Sequence, residues 1–456
     1  MIPKQNVKAQ KARNPMPKRK KLSSFQSIIL GFAGVILIGA LLLMLPFAAK
    51  SGRVTPFDET LFTSTSAVCV TGLVVRDTGS YWSAFGQGVI LVLIQIGGLG
   101  VITVGAALAL LAGRKISLMQ RNTMQEAVSA PKIGGIVRLT GFILKGTFAV
   151  ELLGALLLMP VFCRDFGIKG VWMAVFHSIS AFCNAGFDVM GTTAAPFASL
   201  TAYRADPLIN CTLMLLIIFG GLGFLTWDDF REHKFRFRRY RMQSKVILVT
   251  SGILIFVPAL YLFFWEYQSL PLGERILTSL FQAVTPRTAG FNTADLSKLS
   301  GVGQLLFLPL MLIGGSPGST AGGMKTTTAA VLLLNVFAVF RRREDAQCFG
   351  RRIDGAAVRQ AATILVFYLT LFFGGAVIIS LMEGLPINVC LFEAASAVGT
   401  VGLSLGLTPS LGFVSHMVLI LLMFLGRVGG LTFIYAAISG SRNTLSKLPQ
   451  EKITVG

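Results

Sequence analysis

Eight apolar stretches, each long enough to cross a lipid bilayer, constrain the fold of this chain more than any other feature. A helix rises about 1.5 Å per residue, so about 20 apolar residues cross a hydrocarbon core of about 30 Å. Because no water is available at that depth, the backbone must satisfy its own hydrogen bonds, as a helix does. The sequence therefore predicts an all-α polytopic membrane protein. The stretches are residues 28–49, 86–112, 146–163, 207–227, 246–265, 302–340, 361–382 and 413–438.

The composition is that of an integral membrane protein. Of 456 residues, 53% are hydrophobic and 13% are charged, whereas about a quarter of the residues in a soluble domain are charged. Three histidines and six cysteines without a CxxC pair indicate neither a zinc site nor a disulfide framework. Since the sequence has no clustered nucleophile, base or metal ligand, we predict no enzymatic activity and no cofactor bound by this chain.

The positive charges determine the predicted orientation in the membrane. The chain has 41 Lys and Arg residues against 20 Asp and Glu residues, and the positive residues are concentrated in alternate loops. Because cytoplasmic loops carry the excess of Lys and Arg, both termini are predicted to be cytoplasmic. This arrangement accounts for the formal charge of +21 without a nucleic-acid partner. The basic blocks are residues 1–21, 114–145, 231–245, 341–359 and 442–452.

Shorter apolar segments on the outer side divide the chain into four repeats. They are too short to cross the bilayer and have the length of re-entrant segments. Each ends in a similar phrase that begins with Phe and ends with Gly. The sequence therefore predicts four helix–pore-loop–helix repeats around a central pore, with eight transmembrane helices. The segments are residues 58–70, 172–184, 274–286 and 389–400, and the phrases are Phe62–Gly72, Phe176–Gly186, Phe281–Gly290 and Phe392–Gly402.

The repeats define the predicted domain boundaries. A basic cytoplasmic tail precedes them and a cytoplasmic C-terminal tail follows them. The tails are residues 1–24 and 441–456, and the repeats are residues 25–112, 113–232, 233–343 and 344–440.

Glycines are clustered in the second helix of each repeat. In the third repeat, Gly314–Gly323 contains five glycines and a proline in ten residues, a composition that breaks a helix; a kink held by neighbouring helices is the alternative. In the other repeats, glycine pairs commonly permit close helix approach, and for the first two we leave open whether they do more. These pairs are Gly97-Gly98, Gly220-Gly221 and Gly429-Gly430.

The four phrases would meet on the axis of such a structure. Irregular backbone at membrane depth is tolerated where it lines a water-filled path, and rings of backbone carbonyls replace the hydration shell of a cation there. Glycine permits the backbone angles that turn carbonyls toward the axis, and the carboxyl ends of four half-helices add partial negative charge. The predicted ion selectivity filter consists of Val70, Thr71, Gly72, Asn184, Ala185, Gly186, Thr288, Ala289, Gly290, Thr400, Val401 and Gly402.

These phrases also resemble those of a known family. Val70-Thr-Gly-Leu, Asn184-Ala-Gly-Phe, Thr288-Ala-Gly-Phe and Thr400-Val-Gly-Leu resemble the filters of the Trk/Ktr/HKT superfamily of potassium transporters, most closely the KtrB-type membrane subunit of bacterial Ktr systems. The resemblance covers nearly the whole chain. It implies a channel-like potassium-translocating subunit in the bacterial cell membrane, with potassium at the filter residues only. Glycine at all four filter positions is the family pattern that favours potassium.

The resemblance implies partners and a gate as well. KtrB-like proteins form homodimers and dock a cytoplasmic RCK-type regulatory subunit, so a nucleotide is expected on that partner. In them, the stretch that corresponds to the glycine-rich interruption is an intramembrane loop that obstructs the path below the filter. The gate implied here consists of Gly314, Gly315, Ser316, Pro317, Gly318, Ser319, Thr320, Ala321, Gly322, Gly323, Lys325 and Arg427.

Two of these gate residues are positive charges within apolar spans. Such charges commonly have a function, and we expect Lys325 and Arg427 to anchor the loop in its closed state. Alternatively, Lys325 extends toward the interface and Arg427 only bonds helix-end carbonyls. The alternative function for the whole chain is a secondary transporter that couples potassium to sodium or protons. That class usually has paired carboxylates at mid-membrane, and Glu151 is the single candidate in the sequence.

Overall fold

The computed structural model describes residues 23–101, 103–105, 121, 123–126 and 135–437. Nearly all of the predicted N-terminal tail, the whole C-terminal tail and half of the basic block 114–145 lie outside the described residues. Within them the chain is mostly helical, and several helices are long and apolar enough to cross a membrane. The predicted all-α polytopic fold is confirmed.

Each repeat has the same order of elements: a long helix, a short re-entrant helix, and a second helix that is broken. The first repeat contains α1 (Ser24–Leu43), α2 (Phe57–Val68) and α3 (Ala84–Leu99). The second contains α4 (Ile136–Phe166), α5 (Lys169–Phe182), α6 (Pro207–Gly221) and α7 (Phe224–His233). The third contains α8 (Met242–Tyr261), α9 (Leu272–Val284), α10 (Gly301–Leu312) and α11 (Thr326–Phe340). The fourth contains α12 (Gly355–Glu383), α13 (Ile387–Gly399), α14 (Phe413–Val428) and α15 (Gly430–Ala437), preceded by the strands β1 (Gln347–Cys348) and β2 (Arg351–Arg352).

The first helix of each repeat is long enough to cross without interruption. These helices, α1, α4, α8 with the π-helical turn that follows it, and α12, pass a length and hydropathy test for membrane spans. They are apolar on both sides because one side packs on protein and the other faces lipid. In α1, for example, Phe32 and Ile36 are buried while Leu37, Ile38 and Leu41 are exposed.

The re-entrant helices are where the short apolar segments predicted them. Helices α2, α5, α9 and α13 have 12, 14, 13 and 13 residues, which corresponds to about 20 Å of rise and covers only part of the bilayer. Each carries one Phe at the start of its filter phrase that is almost completely inaccessible. These residues are Phe62, Phe176, Phe281 and Phe392.

The break predicted in the third repeat is present, and the second helices of the other three repeats are broken as well. A glycine with positive φ ends α3, separates α6 from α7, and separates α14 from α15, at Gly100 (φ 86°), Gly223 (φ 85°) and Gly429 (φ 89°). The axes of α6 and α7 meet at 98°. Because only glycine adopts these angles without strain, the glycine pattern terminates a helix in three repeats. In the third repeat it expands into the long connection between α10 and α11.

The same glycine pattern also permits close approach, as predicted. A methyl group on Gly97, Gly220 or Gly426 would clash with the last residues of the re-entrant helix in its own repeat, at the carbonyls of Val68, Phe182 and Val398 respectively. The broken helix therefore lies directly against the end of its re-entrant helix. In the first, second and fourth repeats, one glycine therefore permits the helix contact, and another, three residues later, ends the helix.

Candidate ion pathway

The four filter glycines close a ring. A methyl group placed on any of them would lie less than 3.0 Å from the carbonyl oxygen of the residue that precedes the glycine in another repeat. No side chain fits at any of the four positions, so the backbones of the repeats meet directly. In chain order, Gly72 faces Ala185, Gly186 faces Ala289, Gly290 faces Val401, and Gly402 faces Thr71.

The sign of φ alternates along the backbone of each filter triplet. The first residue of each triplet has positive φ, which is uncommon for residues other than glycine, and so does the glycine at its end. In an ordinary extended chain successive carbonyls point to opposite sides. When the sign of φ alternates, successive carbonyls instead point toward the same side, as a carbonyl filter requires. The angles are 57° and 91° for Val70 and Gly72, 57° and 68° for Asn184 and Gly186, 69° and 82° for Thr288 and Gly290, and 51° and 90° for Thr400 and Gly402.

A hydroxyl residue braces each phrase, and sequence reasoning missed all four. The carbonyl of each one accepts a hydrogen bond of 2.8 to 2.9 Å from the N–H of the middle filter residue. The side chains of two accept from the N–H of the filter glycine, and those of the other two donate to the carbonyl that follows it. The signal was present, because a Ser or Thr stands four residues after the buried Phe in every copy. These residues are Ser66, Ser180, Thr285 and Ser396.

A cavity of about 790 Å³ opens on one side of the ring and is lined by the four filter glycines. Three carboxylates line it as well. Asp77 is fully bonded, since it accepts from the N–H groups of Ser80 and Phe197, and Asp295 lies 3.7 Å from Lys298. Asp188 stands two residues after the glycine of the second phrase.

Asp188, the third carboxylate of this vestibule, has no salt bridge among the described residues. It accepts hydrogen bonds from the N–H of Met190 at 3.0 Å and from the side chain of Ser199. Burial raises the pKa of Asp188 to about 7, and the nearby charge of Asp77 acts in the same direction. The carboxylate at the floor of this vestibule is therefore protonated more readily than an ordinary aspartate.

On the other side of the ring, the connection between α10 and α11 lies against the filter. A methyl group on Gly322 would clash with Oγ1 of Thr400, and one on Gly314 would lie 3.1 Å from Cγ2 of Thr288. Thr288 and Thr400 are the first residues of their triplets. The predicted break in the third repeat is thus confirmed as a complete interruption, and the loop occupies the space directly below the ring.

Both predicted intramembrane cations contact this loop. Lys325 donates to the carbonyls of Ala321 at 2.7 Å and Gly322 at 3.3 Å, so it does not simply extend toward the interface. Arg427 donates to the carbonyl of Thr320 in the loop, and also to the helix-end carbonyls of Gly97 and Gly98. Arg427 therefore makes both the bond to the loop that anchoring requires and the bonds to helix-end carbonyls that the alternative describes.

A smaller cavity, of about 300 Å³, lies on the side of the loop away from the ring. Lys325, Arg427 and Ser319 are among its lining residues. The loop therefore lies between two vestibules, one lined by the filter glycines and the other lined by Lys325 and Arg427. Glu151 lines neither cavity; its carboxylate accepts hydrogen bonds of 3.0 and 3.2 Å from Nε2 of Gln95.

A family model described as TrkH, cation transport protein, matches residues 5–446. The chain belongs to the TrkH family. Its members are cation transport proteins, which are not a class of enzymes. The apolar helices of the chain agree with a multi-pass membrane protein.

Relatives of the TrkH family match the chain along almost its whole length. The potassium/sodium uptake protein NtpJ of Enterococcus hirae is 39% identical over 450 residues, which are 96% of this chain and 98% of that protein. The Ktr system potassium uptake protein B of Bacillus subtilis is 36% identical over 438 residues, 94% of this chain and 96% of that protein. The crystal structure of the potassium transporter TrkH from Vibrio parahaemolyticus has the same fold, with a TM-score of 0.72 at 18% identity over 92% of this chain and 86% of that one.

Proposed function

We propose that this chain is the potassium-translocating subunit of a Ktr/Trk-type uptake system. The closed ring of four glycines carries the proposal, because it leaves only backbone where the four repeats meet at the floor of the larger cavity. Backbone carbonyls in that position replace the hydration shell of a cation. The similarity to proteins named for potassium uptake supports potassium as the ion.

The filter consists of the four triplets, which end at Gly72, Gly186, Gly290 and Gly402. Each triplet holds its shape through the backbone bond to its hydroxyl residue, so the carbonyls are fixed before an ion arrives. Preorganised dipoles avoid the cost of reorienting groups around each ion. Transport through such a filter requires no catalysis and no cofactor in this chain.

The loop over Gly314–Gly323 is the proposed gate, with Lys325 and Arg427 as its anchors. In the described conformation it packs against Thr288 and Thr400 and separates the two vestibules. Its composition offers little apolar surface, so polar bonds, those to the two cations among them, are the contacts that an open state would lose. A regulator can shift this equilibrium only through contacts that differ between the two states.

The system proposed for this chain includes a partner. The relative from Bacillus subtilis is named as protein B of a Ktr system, and the basic blocks of this chain suit an acidic soluble protein at the cytoplasmic face. We place both termini in the cytoplasm of a bacterial cell, a second copy of the chain in a homodimer, and an RCK-type subunit with its nucleotide on the cytoplasmic side.

Flux in proteoliposomes tests the proposal against a coupled secondary transporter. Purified protein is inserted into vesicles that have a potassium gradient and no gradient of sodium or protons, and the membrane potential is followed with a dye. A channel-like subunit sets a potential that follows the potassium gradient. A strict requirement for a sodium or proton gradient would favour the coupled mechanism and would make Glu151 the first residue to replace.

A further inference from the structure

The helix α7 connects the intramembrane loop with the cytoplasmic surface. At its start, the N–H of Phe224 donates to the carbonyl of Gly318 in the loop at 2.8 Å. On the α6 side of the corner, the carbonyls of Gly221 and Gly220 accept from the N–H groups of Ser316 at 3.0 Å and Thr320 at 3.2 Å. The loop is therefore bonded on both sides of the corner at Gly223.

A rotation of α7 about this corner cannot leave the loop undisturbed. The bond to Phe224 would move with α7, while the bonds to Gly220 and Gly221 would stay with α6. Trp227 stabilises the present angle, because its Nε1 donates to the carbonyl of Phe219 at 3.1 Å and its ring packs against Phe182 and Phe224.

A buried carboxylate near the middle of α7 clamps this helix. Asp229 is completely inaccessible, and its Oδ2 accepts hydrogen bonds from Oγ of Ser244 at 2.6 Å and from the N–H of Arg241 at 3.1 Å. Its Oδ1 lies 3.2 Å from Nε of Arg241. Hydrogen bonds to a charged group are the stronger ones, and a buried charge is costly without them. The clamp thus fixes α7 to the beginning of α8.

Beyond the clamp, the chain reaches a cytoplasmic cluster that also contacts the end of α11. Lys245 donates to the carbonyl of Arg238 at 2.8 Å, and the ring of Phe237 contacts that of Phe349 at the tip of the β1–β2 hairpin, 6.2 Å between centroids. The hairpin packs through Ala346 on Ala338 near the end of α11. Because α11 begins directly after the loop, this cluster is connected to the loop through α7 and through α11.

We propose that α7 is the lever through which the cytoplasmic surface moves the intramembrane loop, and that Asp229 is the positioning residue that holds this lever in the closed state. The inference rests on the proposed function, since it assigns a cause of motion to the proposed gate. Loss of the clamp frees α7 to rotate at Gly223 and takes Gly318 away from its place below the ring. The filter is unaffected because none of its residues is part of the clamp.

The test combines Asp229→Asn with removal of the loop. Full-length protein is reconstituted in proteoliposomes, and the initial potassium flux per inserted protein is measured together with the potassium-to-sodium flux ratio. Asp229→Asn should raise flux by about three- to ten-fold, the range that a modest shift in a two-state equilibrium produces, with the ratio unchanged. In protein that lacks Gly314–Gly322, the same substitution should have no further effect.

Two pairs of matched variants serve as controls. Asp228→Asn is the control for Asp229→Asn, because Asp228 also pairs with Arg241, at 3.1 Å, but from a more exposed position. Gly223→Ala places a methyl group against the carbonyl of Pro317 in the loop, whereas Gly429→Ala has the same backbone strain and no neighbour closer than 4.0 Å. Gly223→Ala should raise flux and Gly429→Ala should not, which keeps the test valid if Asp229→Asn fails to fold.

Each other result has a defined meaning. Equal flux increases for Asp229→Asn with and without the loop would overturn the lever, because Asp229 would then act elsewhere. The lever is also wrong if deletion of the loop raises flux while Asp229→Asn and Gly223→Ala leave it unchanged. If deletion of the loop itself has no effect, the proposed gate fails first, and the lever fails with it.

Discussion

Arg427 of the fourth repeat donates through Nη1 to the carbonyl of Thr320 in the loop of the third repeat. Through Nη2 it also donates to the carbonyls of Gly97 and Gly98, at the end of α3 in the first repeat. A single guanidinium therefore joins three repeats below the filter. The planar fork of donors on arginine can bridge separate carbonyls in this way, whereas the ammonium of lysine is a compact point charge.

Replacement of Arg427 by Ala should raise potassium flux, and deletion of Gly314–Gly322 should raise it further. Both changes remove contacts that hold the loop below the ring, and the deletion removes the obstruction itself. We expect on the order of ten-fold for the deletion and less for Arg427→Ala. Initial potassium uptake per inserted protein, with and without a regulatory partner, is the measurement.

Arg427→Lys separates anchoring from electrostatics. If the positive charge alone limits flux, Lys should preserve the wild-type rate. If the bridging fork matters, Lys should resemble Ala, since one ammonium cannot reproduce bonds to Thr320 and Gly97 together. Should the loop deletion insert normally, conduct no faster and still need its partner, the gate lies elsewhere.

The four filter glycines should determine ion preference. Gly72→Ser or Gly290→Ser puts a side chain where the backbone of the next repeat already lies within 3.0 Å, so the carbonyl ring must distort. We predict weaker discrimination of potassium from sodium in protein that still inserts. Competition of the two ions for uptake is the measurement, and Gly52→Ser is the control, because Gly52 has a φ of 68° and no neighbour within 4 Å. Unchanged relative affinities in both filter variants would falsify the filter assignment.

The repeats, the re-entrant helices and the glycine ring were predictable because each follows from a local property of the chain. The length of an apolar run decides whether it crosses, and a phrase repeated four times identifies equivalent positions. The hydroxyl brace was predictable in the same way, since Ser66, Ser180, Thr285 and Ser396 all stand four residues after a buried Phe.

The breaks outside the third repeat were not predictable from the glycine pairs. Gly97 and Gly100 are three residues apart, yet the first permits close helix approach and the second takes a φ of 86°. Composition does not distinguish these two uses of glycine. The contacts of the loop with the α6–α7 corner were equally inaccessible, because they join residues about a hundred positions apart in two repeats whose packing the sequence pattern does not specify.

Partner binding should depend on the basic segment that follows α7. Arg236, Arg238 and Arg239 are exposed, and their reversal to Glu should weaken co-purification with an acidic RCK-type ring. The loss should be larger at low salt, since exposed charges are screened beyond about 10 Å at 0.1 M salt. Arg241 is left in place because it pairs with Asp228 and Asp229, so its loss would disturb the fold of this region.

Reversal of Arg53 and Lys169 is the control for this partner prediction. Both are exposed and positively charged, and both lie in the segments with few basic residues, Arg53 in a loop and Lys169 at the start of α5, where no cytoplasmic partner would reach them. Full co-purification by the Arg236, Arg238 and Arg239 variant would leave these arginines a role only in membrane orientation and contact with anionic lipid.

Potassium affinity should depend on external pH through Asp188. Its pKa is raised to about 7, chiefly by burial, so the carboxylate is charged above that pH and becomes neutral as the pH falls below it. The charged form attracts cations to the vestibule floor above the filter glycines, and loss of that charge lowers their local concentration. We therefore expect the apparent affinity for potassium to fall as external pH is lowered from 8 to 6, with a smaller change in maximal rate.

Asp188→Asn should have the low affinity at every pH and show no pH dependence. Asp295→Asn, whose carboxylate is already paired with Lys298, should keep the pH dependence. A pH dependence that persists in Asp188→Asn would assign the titration to another group.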